Sequence, residues 1–201
     1  MGAWLERVVF SSPQAGSAHP TPLPFGTQDY RTRQVVLSEL NFNAALQASC
    51  SIPFVLNAVH HIPGAPAGAY WDGGITDYHL HLDYPGAVRQ LDAPQTHGRG
   101  ALVLYPHFQK SVIPGWLDKG LKWRHHASRY LDTMVLLAPN PEWVRTLPNG
   151  KLPDRTDFTR YGNDLAARVK AWTAATSASD QLVDEFAAWL DKPDMGCVLP
   201  L

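Results

Sequence analysis

One short segment of the chain, Tyr70–Tyr84, combines three acidic residues with two histidines and reads YWDGGITDYHLHLDY. Its first acid, Asp72, is followed directly by Gly73 and Gly74. Glycines after an acid allow positive φ and a close approach of the backbone, so we expect this pair to shape the turn that presents the carboxylate. The pattern fits a single catalytic carboxylate, but taken alone it is more typical of a plain tight turn.

The second half of the same segment suggests a metal site instead. His79, His81 and Asp83 follow the start of an HxHxDH pattern, in which alternate residues present two imidazoles and a carboxylate on one side. The sixth position is Tyr84 rather than histidine, and the remaining histidines have no recognisable spacing to the pattern. The alternative is a strand in which polar and apolar side chains alternate. We favour the strand and expect no metal and no cofactor.

A second motif lies upstream and strengthens the hypothesis that Asp72 is a catalytic carboxylate. The stretch Ala44–Phe54 reads AALQASCSIPF, and the YWDGG sequence follows it. Together they resemble the patatin-like phospholipase family, in which a helix ending in an Ala-Ser/Thr-x-Ala/Ser-x-Pro segment precedes a Tyr-x-Asp-Gly-Gly/Ala motif. The resemblance is firm over Leu37–Asp77. It extends more loosely to about Trp189, through the segments LVLYPHFQ, PGWLDK and GKLPDR.

The resemblance implies a serine acyl hydrolase of the phospholipase A or esterase type, which acts on lipid esters, with contact to a membrane surface. Such enzymes use a Ser-Asp dyad: a serine in a GxSxG elbow attacks the ester, and the aspartate of the Asp-Gly-Gly/Ala motif takes its proton. By position, Asp72 matches that aspartate. The implied fold is a three-layer α/β/α arrangement with a mostly parallel or mixed central sheet.

The nucleophile of the family is missing from this chain. No GxSxG sequence occurs, and the nearest candidate, Gly16-Ser17, lies in a proline-rich loop. Ser49 and Ser51 match the downstream family segment instead. The resemblance therefore covers the C-terminal part of the family's domain, and we expect the 201 residues alone to supply the aspartate but no dyad chemistry. The alternative function is a non-catalytic lipid- or protein-binding module of the same fold.

The elements that must position these residues give an α/β pattern. Apolar runs predict strands over 5–11, 33–38, 54–59, 101–105 and 133–138, and helical spacing predicts helices over 41–49, 114–130 and 141–146. Residues 11–32 carry several prolines without apolar periodicity and predict an extended loop. Residues 154–191 predict a helical C-terminal region. We treat 1–201 as one incomplete domain.

Composition excludes some partners. The net charge of −1 and the lack of a Lys/Arg cluster argue against nucleic acid. The apolar runs are too short for a transmembrane segment, and the start of the chain has no signal-peptide pattern. These features predict a cytoplasmic or peripheral membrane protein. Because part of the sheet would be missing, we also expect self-association through an exposed sheet.

Overall fold

The computed structural model describes residues 5–86 and 102–201. Helices and short strands are mixed along them, which confirms the α/β class. The described residues fall into two compact units, one of residues up to 103 with 111–135 and the other of 104–110 with 136–201. None of the helices in the described ranges combines the length and apolar character that crossing a membrane would require.

The first unit begins with two parallel strands, β1 (Glu6–Ser11) and β2 (Arg31–Val36). They pair from Glu6 opposite Arg31 to Ser11 opposite Val36. Both strands were predicted, and β2 begins two residues earlier than its apolar run suggests. The intervening segment forms isolated bridges rather than regular elements, because its prolines remove the N–H groups that a ladder needs.

Helix α1 (Phe42–Ser49) follows, as predicted, but Asn41 does not cap it through its side chain. Instead the Asn41 side chain accepts from the backbone N–H of Ser38 and donates to the carbonyls of Val36 and Pro63. These bonds join the end of β2 to the start of α1. The Asn41 side chain is 2% exposed, so the three bonds satisfy a buried amide that would otherwise be costly.

The strand predicted over 54–59 is wrong. Phe54 has a φ of 67° and is 95% exposed, so the chain turns there instead of extending. Of the predicted run, only Val59 lies in a strand, β3 (Val59–His60). This strand pairs antiparallel with β4 (Ala69–Tyr70). A short helix, α2 (Gly74–Asp77), begins almost at once after β4.

The strand predicted over the His/Leu alternation is also wrong, because Leu80 has a φ of 50° and interrupts any extended run. The backbone N–H groups of Tyr78 and His79 donate instead to the carbonyls of Pro114 and Ile113. The alternation of side chains indicated a strand, but no neighbouring strand pairs with this segment among the described residues.

Strands β5 (Val103–Pro106) and β6 (Met134–Leu137) form a third pair close to their predicted positions. The helix predicted over 114–130 is wrong: its residues form three short 3₁₀ helices, Trp116–Gly120, Lys122–Arg124 and Arg129–Leu131. Leu121 breaks the run with φ −102° and ψ 69°. The strands of the described residues thus form three separate two-stranded sheets rather than one larger sheet.

The second unit is mainly helical. It contains α3 (Pro141–Thr146), α4 (Thr156–Tyr161), α5 (Leu165–Ala178) and α6 (Asp180–Asp191), with short 3₁₀ turns at Pro148–Gly150 and Met195–Cys197. The predicted start of α3 is confirmed, with proline in its first turn and the Asn140 side chain accepting from Glu142 N. Ser179 precedes α6 without capping it through its side chain, because its hydroxyl donates back to the carbonyl of Thr176.

Candidate functional site

The two motifs of the sequence analysis meet in the structure. The backbone N–H of Asp72 donates to the carbonyl of Ser51 over 2.9 Å. Ser51 is 2% exposed, and its hydroxyl donates to the carbonyl of Gln47 in α1. The segment after α1 therefore fixes the backbone of the residue whose carboxylate was singled out.

Asp72 lies between β4 and α2, and its side chain is half-buried. Its Oδ1 accepts the backbone N–H of Gly74 over 2.7 Å, which orients the carboxylate at the start of α2. Within residues 5–86 and 102–201 this is the only side-chain hydrogen bond that Asp72 makes, and no cation forms an ion pair with it there. One carboxylate oxygen is held by the turn, and Oδ2 is left for another partner.

The glycines act differently from the prediction. Gly73 has a φ of −62°, and Gly74 is not among the glycines with positive φ, so the expected left-handed turn is wrong. The predicted close approach does occur at Gly74, where a Cβ would lie 2.9 Å from Asp72 Oδ1. A Cβ at Gly73 would meet nothing within 4 Å. Of the two positions, only Gly74 lacks room for a side chain.

Asp72 lines a cleft of about 830 Å³ in the first unit. One side of the cleft is β1, and the others are α1 and residues 66–82. Several large apolar side chains line it while remaining substantially exposed; they are Phe42, Leu46, Trp71 and Leu80. The cleft is thus an apolar groove with a carboxylate in its wall.

An ion cluster that sequence reasoning missed borders the same cleft. The guanidinium of Arg7 lies 2.7 Å from Asp29 and 2.7 Å from Asp77, and its side chain is 6% exposed. It also lies 4.8 Å from the ring centre of Tyr30. The carboxylates hold the pKa of Arg7 above its ordinary value against the opposing effect of burial. The only sequence signal was a charged residue inside an apolar strand.

The histidines of the metal hypothesis contact different neighbours. His79 accepts the backbone N–H of Ile113 at Nδ1, whereas His81 Nε2 lies 3.0 Å from the hydroxyl of Ser128. Burial lowers the pKa of His81. The described residues contain no group of three or more His, Cys, Asp or Glu side chains placed to hold a metal ion.

Asp83 is buried and is held by the glycines around it. Its Oδ1 accepts the backbone N–H of Gly86 over 3.0 Å, and its carbonyl accepts that of Gly26. A Cβ at either glycine would come within 2.7 Å of the Asp83 carboxylate. The residue therefore joins the 12–30 loop to the segment that follows α2.

The serines do not complete a dyad. Gly16-Ser17 lies in a turn, where the Ser17 hydroxyl accepts from His19 N, and not in a strand–turn–helix elbow. Ser49 lines the cleft, but no serine hydroxyl within residues 5–86 and 102–201 is hydrogen-bonded to Asp72.

No protein-family model, curated protein or solved structure matches the chain.

Proposed function

We propose that this chain is the aspartate-bearing, C-terminal part of a patatin-like acyl hydrolase, with Asp72 as the general base of a Ser-Asp dyad. The observation that carries the proposal is the bond between Asp72 N and Ser51 O, which joins the two resembling motifs at the apolar cleft. On this proposal the serine comes from a nucleophile-bearing segment outside these 201 residues. The complete domain then has the three-layer α/β/α fold.

In this proposal Asp72 moves the proton. Gly74 N–H holds Oδ1, so Oδ2 accepts the proton of the attacking serine as the serine oxygen bonds to the ester carbonyl. The proton then passes to the departing alcohol as the ester bond breaks. In the second half, Asp72 takes a proton from water as the water oxygen attacks the acyl carbonyl, and it returns that proton to the serine oxygen as the acyl–serine bond breaks.

The cleft favours an ester with an apolar acyl chain. Its volume is within the range of about 300–1,000 Å³ that is typical of small-molecule sites. Phe42 and Leu46 of α1 supply exposed apolar surface along one wall. Contact with an acyl chain would remove that surface from water, at about 25 cal/mol per Å².

The experiment compares this chain with a product extended upstream of Met1, using a fluorophosphonate probe and a short-chain nitrophenyl ester. We expect the extended product to be labelled and to hydrolyse the ester, and the 201-residue chain to do neither. Asp72→Asn in the extended product should abolish turnover with folding intact, because Asn cannot take the serine proton. An upstream sequence without a GxSxG serine, or full turnover by Asp72→Asn, would overturn the proposal.

A second candidate is a non-catalytic lipid-binding module. It is favoured by the exposed apolar lining of the cleft, with Phe42 48% and Leu46 53% exposed. On this alternative Asp72 only starts α2 through its bond to Gly74. Binding of a fatty acid would then be unchanged in Asp72→Asn, and no serine probe would label either product.

A further inference from the structure

We infer that the outer edge of β1 is a docking site for an extended polypeptide segment, which adds to the sheet as a third strand. This inference does not depend on the proposed hydrolase chemistry. It starts from an unusual feature of the fold: β1 and β2 are parallel and form a sheet of only two strands. Parallel strands are normally found inside larger sheets that are covered on both faces.

The backbone of β1 supports the inference. A strand at a sheet edge presents N–H and C=O groups that a further strand can bind. Apart from its ladder with β2, the only backbone hydrogen bond of β1 to the described residues is from Leu37 N to Ser11 O, at the last residue of the strand. Within residues 5–86 and 102–201, the outer groups before Ser11 thus have no backbone hydrogen-bond partner.

The cleft is lined by the same strand. Leu5–Phe10 all line it, so the groove follows β1 from the residue before its start nearly to its end. Other residues that line the cleft carry exposed apolar side chains, namely Leu46 at 53% and Trp71 at 36% exposure. Backbone groups on one side and apolar side chains on the other are what an added β-strand requires, since its main chain bonds the edge and alternate side chains enter the groove.

The charged side chains that line the cleft indicate which kind of segment could bind there. Glu6 is paired with Arg31 and Arg33, and Arg7 is paired with Asp29 and Asp77. Among the cleft residues that the structure describes, Asp72 alone is a charged side chain without an ion pair. The groove thus suits an apolar strand that carries a basic residue near Asp72, and it disfavours an acidic segment.

A second copy of this chain fits less well. Its own β1 lies beside its own α1 and residues 66–82, so that strand does not project to enter the groove of another copy. Direct pairing of two β1 edges would bring the walls of both grooves together. The occupant is therefore a separate extended segment, and dimerisation becomes the competing outcome of the test.

The test uses the 201-residue chain and a synthetic peptide of alternating valine and threonine with a lysine at each end. Hydrogen exchange read by mass spectrometry should show slower exchange of β1 amides when the peptide is present. A peptide with the same side chains but N-methylated at every amide should give no protection, because neither of its edges keeps an N–H group that can bond β1. No protection by the unmethylated peptide, or equal protection by both, would overturn the inference.

A matched pair of variants locates the effect. Leu46→Glu places a charge in the groove wall at an exposed position, and we expect it to weaken peptide binding by at least about tenfold. Phe54→Glu changes a more exposed apolar residue that does not line the cleft, and this variant should bind the peptide normally. A stable dimer that Leu46→Glu converts to monomer would instead identify the second copy as the occupant.

Discussion

Gly74 donates its backbone N–H to Oδ1 of Asp72 over 2.7 Å, so the candidate base is also the residue that starts α2. The proposed catalytic role of this carboxylate and its structural role can be separated by substitution. Asparagine keeps an oxygen that accepts from Gly74 but cannot act as a base, whereas alanine removes both functions.

We therefore expect Asp72→Asn to leave the free energy of unfolding nearly unchanged and Asp72→Ala to lower it by about 1 kcal/mol, the usual net value of a lost hydrogen bond. Urea unfolding followed by circular dichroism measures both. Equal loss in the two variants would mean that the charge, and not the hydrogen bond, stabilises the turn.

The glycine pair provides a second comparison. Alanine at Gly74 would place its Cβ 2.9 Å from Asp72 Oδ1, so the carboxylate must shift. Alanine at Gly73 meets open space at a φ of −62°, which any residue adopts. We expect Gly73→Ala to be neutral or stabilising by up to about 1 kcal/mol.

Gly74→Ala should be less stable than Gly73→Ala by about 1 kcal/mol, because the gain in chain entropy is offset by the displaced carboxylate. In the extended product, Gly74→Ala should also lower kcat with little change in KM. Indistinguishable variants would show that the Gly74 contact relaxes without cost.

The Arg7 cluster predicts a large effect on stability. Arg7→Met leaves Asp29 and Asp77, whose side chains are only 12% and 14% exposed, without their counter-charge. Breaking a buried pair in this way costs about 3 to 5 kcal/mol. The control is Arg33→Met, since that guanidinium is exposed and pairs with Glu6 at the surface; its unfolding midpoint should not move measurably. A small effect of Arg7→Met on the free energy of unfolding would show that the two carboxylates become hydrated when the guanidinium is removed.

These residues also show which features of the structure can be predicted from the sequence. The strands β1 and β6 were predictable because apolar residues run between turn-forming ones, and Asp72 was singled out by two local motifs. Arg7 was not, because its partners lie 22 and 70 residues away and no local pattern records such pairing.

The errors have the same origin. The His/Leu alternation has the period of a strand, but the backbone of His79 bonds to Ile113, 34 residues away. The run over 114–130 has helical spacing, yet Asp118 accepts from Gly115 N and closes a tighter turn. In both cases contacts that a periodicity does not contain decided the conformation.

His81 predicts a pH dependence in the first unit. Burial lowers its pKa, while Asp29 and Asp77 raise it and His126 lowers it further. The unfolded chain therefore binds the proton more readily, so the contribution of His81 to stability is complete above its unfolded pKa, about 6.5, and is lost as the pH falls through the folded value.

We expect the urea midpoint to fall between about pH 7.5 and about pH 5, and His81→Gln to flatten this dependence. His60→Gln, at an exposed position, is the control and should keep the wild-type profile. An unchanged slope in His81→Gln would assign the dependence to other groups.

The ion pairs of Lys151 lead us to predict the pH range in which the second unit loses stability in acid. Its Nζ lies 2.8 Å from Asp157 Oδ1 and 2.9 Å from Asp154 Oδ1. The contact with Lys151 is the main cause that lowers the pKa of Asp157, while the Thr156 hydroxyl, followed by Lys151, lowers the pKa of Asp154 to about 2. Because both folded values lie below the unfolded ones, this stability is present above about pH 4 and is lost as the pH falls toward 2.

Lys151→Met should therefore move the acid unfolding transition, followed by circular dichroism, to higher pH. Lys170→Met, which removes a lysine from α5 that forms no ion pair with the described residues, should leave the transition in place. Trp172 still donates to Asp157 Oδ2 in Lys151→Met, so the fold at neutral pH should persist. Coincident acid transitions in Lys151→Met and the unmodified chain would show that the two carboxylates do not govern acid unfolding.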